Sequence, residues 1–145
     1  MPRLAAFAIF LLLGASQAAD LNPAAINIQL PGQLKWTVAR SGANEAVLFG
    51  DPAKSGWYGV LVRWDPGHMS RPHFHPNDRY VTVISGTWWV GTGPKYDPPS
   101  TKAVPAGSFV THYAKQVHYD GAKDEPVVLE IVGMGPDTST AAETK

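Results

Sequence analysis

Residues 67–86 read GHMSRPHFHPNDRYVTVISG and residues 107–118 read GSFVTHYAKQVH. The first stretch carries an H-x-H pair, His73 and His75, ahead of an alternating apolar run. Side chains along an extended strand switch faces with a period of two, so both imidazoles aim the same way. Neutral imidazole nitrogen suits Zn, Cu, Fe or Ni. His118, at the end of the second stretch, supplies a third corner of a coordination sphere if its strand lies beside the first. Arg79 complicates this arrangement, because a guanidinium stays protonated and has no acceptor with which to ligate a cation.

Working outward, short runs rich in Val, Ile, Tyr, Trp and Thr alternate with Gly/Pro breakers. The runs fall at residues 34–39, 46–50, 57–64, 80–85, 87–91, 108–113, 117–120 and 127–132. Such residues fit a pleated, half-buried surface. No stretch beyond the amino terminus sustains a helical period. Many short strands, punctuated by 13 prolines, predict an all-β sandwich or barrel. In residues 57–64, Tyr58, Val60, Val62 and Trp64 share one face, and Trp57, Leu61 and Arg63 the other. Both faces are largely apolar, which predicts a covered outer face and a homodimer. Trp57, Trp64, Trp88 and Trp89 read as core or interface residues.

The ends bound the folded unit. Arg3, the apolar run from Leu4 to Leu13 and the small residues up to Ala18 have the three regions of a secretory signal peptide, and the run is too short to span a bilayer. Residues 1–18 are therefore expected to be a cleaved export signal, leaving an exported, periplasmic or secreted, chain with no membrane association. Residues 19–33 read as a polar lead-in, 34–136 as the barrel and 137–145 as a small, polar, flexible tail. There is no cysteine, so neither disulfides nor thiolate ligands are available. Twelve basic residues balance twelve acidic ones with no basic run, which excludes nucleic acid as an expected partner.

The spacing of Gly67, His73, His75, position 79 and Gly86 resembles the first motif of the cupin superfamily. Gly107, eleven residues before His118, resembles the second, with Tyr113, Lys115 and Ala122 departing from its usual residues. The resemblance implies a single-domain cupin jelly-roll β-barrel, or double-stranded β-helix, with one metal inside, held by His73, His75 and His118. The family's fourth ligand is a Glu, and here Arg79 stands in its place. A unit charge about 5 Å from a divalent ion costs on the order of 6–7 kcal/mol at an effective dielectric near 20. Arg79 must therefore swing to the mouth, be neutralised by an internal carboxylate, or leave the site without metal. Glu130 is the expected counter-charge, with Asp78 weaker because strand parity turns it away from Arg79. His68 reads as a loop histidine and His112 as a hydrogen-bonded core histidine.

The expected function is that of an exported metalloprotein binding one divalent transition metal (Fe, Mn, Zn, Cu or Ni). Three-His cupins imply dioxygenase-, lyase- or isomerase-type chemistry on a small organic molecule, with Arg79 as the catalytic clamp for a carboxylate or enolate oxygen. The competing expectations are a metal-free module that binds a sugar acid or other small carboxylate, and a structural or interaction barrel. Gly91-Thr92-Gly93 and Gly133-Met134-Gly135 lack the strand-to-helix context of a nucleotide fingerprint.

Overall fold

The computed structural model describes residues 20–39 and 41–144; the expected export signal lies outside them. The described residues form eleven strands: β1 (Thr37–Val38), β2 (Asn44–Phe49), β3 (Gly56–Trp64), β4 (His73–Phe74), β5 (Arg79–Ser85), β6 (Thr87–Thr92), β7 (Lys102–Pro105), β8 (Phe109–His112), β9 (His118–Gly121), β10 (Val127–Gly135) and β11 (Thr140–Ala141). They build two antiparallel sheets, ordered β1-β2-β3-β10-β5-β8 and β11-β4-β9-β6-β7. Two such sheets wrapped around one core make a double-stranded β-helix, as the resemblance to cupins implies.

The two nine-residue strands, β3 and β10, pair along their whole length at the centre of the larger sheet. Their inward residues, Tyr58, Val60, Val62, Val127, Leu129 and Ile131, meet Val81 and Val83 of β5 and Trp88 of β6 in one apolar cluster. Each of these side chains contributes about 1.5–3 kcal/mol by leaving water. Gly86 lets the chain pass from one sheet to the other between β5 and β6. It adopts φ 75°, and a Cβ there would run into the Pro126 carbonyl, so only glycine fits.

Three expectations change. Residues 34–39 shorten to β1, and β4, β7 and β11 are strands that apolar periodicity does not reveal. The residues after Pro136 are no free tail: β11 pairs with β4, Ala142 N donates to Pro72 O at 2.9 Å, and Thr144 N to Pro94 O at 3.0 Å. Backbone hydrogen bonds hold this polar segment where side chains bury little. The outer face of β3 is not covered by the described residues. Trp57 is 58% exposed beside Tyr80, Phe109 and Met134, whereas Trp64 and Trp88 are core. Trp89 faces outward under Lys123, whose Nζ lies 3.7 Å from the ring centroid. No helix among the described residues is long and apolar enough to cross a membrane.

Candidate metal centre

His73 opens β4 and pairs across the ladder with His118, which opens β9. Prolines at 72 and 76 flank this stretch and keep β4 to two residues, because proline cannot donate to a ladder. His75 returns to the same face as His73. The ring centroids are 4.9 Å apart for His73–His75, 4.6 Å for His73–His118 and 5.4 Å for His75–His118. One donor nitrogen from each ring lies within 4.8 Å of the other two. The structure thus brings together all three predicted ligands.

Backbone carbonyls fix the tautomers. Nδ1–H of His73 donates to Arg71 O at 2.7 Å, that of His75 to Thr138 O at 3.0 Å, and that of His118 to Gln116 O at 3.1 Å. Each Nε2 therefore presents a lone pair, because a carbonyl holding the Nδ1 proton orients the ring as in metal-ligating histidines. His75 Nε2 is buried with no hydrogen-bond partner, as a nitrogen reserved for a cation would be. Burial, then the neighbouring positive groups His73 and Arg79, push His118 down to about 3. Burial likewise lowers His73. His73 and His118 are thereby held in the neutral form that ligation requires, and the donor set fits a divalent transition metal.

Arg79 points inward and is neutralised there. Its Nη2 donates to His112 Nδ1 at 3.2 Å and to His118 Nε2 at 3.4 Å, while Nη1 faces Asp137 Oδ2 at 3.6 Å. The counter-charge is therefore Asp137 and not Glu130. Glu130 aligns with Leu61 and Thr82 on the face opposite the buried Val127, Leu129 and Ile131. Asp137 Oδ1 also accepts from His75 Nδ1 at 2.9 Å, and its own backbone N–H is fixed to Pro52 O at 2.6 Å. Burial opposes its ionisation, but the hydrogen bond from His75 and the charge of Arg79 outweigh it and hold Asp137 below the usual carboxylate range.

The other candidates sort by register. His112 is buried against the cluster, its ring centroid 3.8 Å from that of His118 and 5.3 Å from that of Trp88. Asp78 turns away from the centre and accepts from Ala114 N at 2.7 Å. His68 is exposed, and its Nδ1 lies 3.1 Å from Pro66 O within its own loop. Glu45, which no motif marks, aligns with inward-facing Val62. Burial, and then the negative charge of Asp137, raise its pKa against the opposing pull of Arg79. Tyr58, Gly133, Arg79 and His112 form one register row across β3, β10, β5 and β8. A cleft of about 400 Å³ is lined by Val90, Thr92, Lys102, Val104, Val110 and Tyr119; no histidine of the cluster lines it, though Thr92 aligns with His118.

The carboxyl-terminal segment clasps the ligand hairpin. Ala141 pairs with His73 and Thr140 with Phe74, and Arg71 holds Glu143 through Nε at 2.8 Å and also through Nη2. The Arg71 guanidinium stacks on Tyr96, with Cζ 3.8 Å from the ring centroid.

No protein-family model matches the chain, and no curated protein matches it. Solved structures do. The polyketide cyclase RemF from Streptomyces resistomycificus superposes with a TM-score of 0.68 at 16% identity, over 83% of this chain and 87% of that one. A cupin-2 domain protein from Rhodospirillum rubrum gives 0.60 at 18%, over 79% and 78%. The DMSP lyase DddQ from Ruegeria pomeroyi gives 0.62 at 14%, over 79% of this chain and 64% of that one. These likenesses establish the class: the chain has the cupin fold, a single double-stranded β-helix with a three-imidazole group inside.

Proposed function

We propose that this protein is an exported cupin metalloenzyme that catalyses proton transfer, of lyase or isomerase type, on a small organic molecule bearing a carboxylate or enolisable oxygen. The observation that carries the reading is the convergence of three Nε2 lone pairs whose Nδ1 protons are each fixed on a backbone carbonyl. A divalent ion held by His73, His75 and His118 supplies Lewis-acid polarisation of a bound carbonyl or carboxylate. Arg79 orients the anionic end of the substrate, a role its planar fork suits. Glu45, whose pKa burial raises, takes a proton from carbon and returns it. Asp137 positions His75 and Arg79 rather than carrying the proton. Among the similar structures, the names polyketide cyclase and DMSP lyase fit a small-molecule enzyme. The pattern of residues 1–18 supports export, and the exposed face around Trp57 and Phe109 supports a homodimer.

The test is solvent deuterium wash-in, followed by NMR, at the carbon beside the carboxylate across a panel of small acids, together with elemental analysis of freshly purified protein. Near-stoichiometric metal is expected, with metal-dependent wash-in abolished by Glu45→Gln while metal content stays. Protein that neither carries nor takes up a divalent ion would sink this reading.

One observation favours a second reading. Arg79 Nη2 stands at the His118 lone pair, so the guanidinium could serve a metal-free binding module for small carboxylates. A melting temperature that rises with such acids in metal-free protein would support it.

A further inference from the structure

Asp120 is buried two residues after His118 on β9, and parity places both on the inward face. Its Oδ1 accepts from Trp88 Nε1 at 3.2 Å, and its Oδ2 stands 4.0 Å from His118 Nε2. Because His118 donates its Nδ1 proton to Gln116 O, Nε2 is an acceptor. A carboxylate oxygen and an imidazole lone pair thus face one another across a gap too long for a hydrogen bond. In a buried setting that arrangement is repulsive unless positive charge lies between them. His112 closes the third side, its ring tilted 39° to that of His118, and one donor atom from each of His112, His118 and Asp120 lies within 4.8 Å of the other two. His112 and Asp120 are only 7% and 6% exposed, and His118 4%. Because His112 Nδ1 accepts from Arg79 Nη2 at 3.2 Å, Nδ1 is the lone-pair nitrogen of that ring.

Arg79 marks the same place. Its Nη2 reaches two of the three residues, His112 at 3.2 Å and His118 at 3.4 Å. A guanidinium nitrogen stands where a cation would be drawn.

We propose that His112, His118 and Asp120 form a second cation position inside the barrel, for a divalent first-row transition metal, sharing His118 with the His73–His75 pair. It is independent of whether the centre is catalytic. Because His118 has one lone pair to give, the chain holds one ion at a time, at one position or the other. The two-imidazole, one-carboxylate donor set suits Fe(II), Mn(II) or Zn(II). It also supplies the anionic ligand that Arg79 removes from the first motif. An ion there displaces Arg79 Nη2, and the guanidinium keeps Asp137 as its partner through Nη1.

The test uses Co(II) titration with visible absorption on the full chain. In the His73→Ala/His75→Ala variant, one equivalent of Co(II) is still expected to bind, with bands shifted from those of the unmodified protein. Adding Asp120→Asn, which keeps an oxygen for Trp88, is expected to abolish that binding. A double variant that binds no Co(II), while the unmodified protein does, overturns the proposal and leaves the three-imidazole reading standing. Co(II) binding by the double variant that survives Asp120→Asn overturns it too. Binding by the double variant with no change from the unmodified spectrum supports the inner position and sinks the outer one. Should the double variant fail to fold by circular dichroism, Arg79→Gln serves with the triad intact. It is expected to shift the Co(II) bands, and that shift is expected to vanish when Asp120→Asn is added; a shift that persists overturns the proposal.

Discussion

The carboxylate of Asp137 stands 3.6 Å from the guanidinium of Arg79, and both groups are largely withdrawn from water. The charge that ought to repel a metal is thus answered from the turn after β10, by a residue that also orients His75. One carboxylate sets both the direction of a ligand and the electrostatics of the site.

Replacing Asp137 with Asn is expected to strand a buried guanidinium. Removing one partner of a buried ion pair costs about 3 kcal/mol, readable by urea unfolding. Metal affinity is expected to fall at least about tenfold, as when an outer-shell partner of a ligating histidine is lost. If stability and affinity both stay unchanged, Asp137 is not the counter-charge. Adding Arg79→Gln to the same chain is expected to recover most of the lost stability.

Arg79→Glu is expected to raise divalent-metal affinity by more than about tenfold, because a repulsive charge within about 5 Å becomes an attractive one. Isothermal titration with Zn(II) or Co(II) measures it. Equal or weaker binding would mean that Arg79 stands clear of the ion.

The acid limb of stability follows from His118. Its pKa is about 3 in the folded chain, against about 6.5 when unfolded. Between these values the unfolded state binds more protons, so stability is full above about pH 6.5 and declines as pH falls toward 3. His112, also pushed down first by burial, steepens the same limb. Melting temperatures recorded across this range check the slope, and His118→Asn is expected to flatten it. A wild-type profile already flat from pH 7 to 4 would show that the imidazoles are not buried as neutral groups.

Gly121→Ala is expected to destabilise by about 1–3 kcal/mol, the usual cost of overpacking. A Cβ at Gly121 would strike His68 O and sit 2.5 Å from Met69 Cα, and backbone on a bridged strand cannot step aside. Thermal unfolding measures the loss. A neutral substitution would show that the Met69–Gly121 bridge is loose.

Much of this arrangement was legible in the residues themselves. The parity of His73 and His75 put two imidazoles on one face, and the glycine spacing placed His118 beside them. Glu130 misled for a definite reason. Val128 and Val132 are as apolar as Val127 and Leu129, so periodicity along β10 could not say which side faced in. Asp137 was hidden differently. It follows β10 in a polar stretch, and β11 is two residues, Thr140 and Ala141, whose place is set by pairing with β4. Such a strand leaves no mark in composition. Glu45 went unnoticed because its role depends on Asp137 and Arg79, residues distant along the chain.

The dependence of His75 on Thr138 and Asp137 also orders events in time. Translation delivers all three imidazoles well before it delivers the carbonyl and carboxylate that aim one of them. A polypeptide folded only as far as His118 would carry the nitrogens without the groups that aim His75, so the site is completed only when the carboxyl-terminal segment docks.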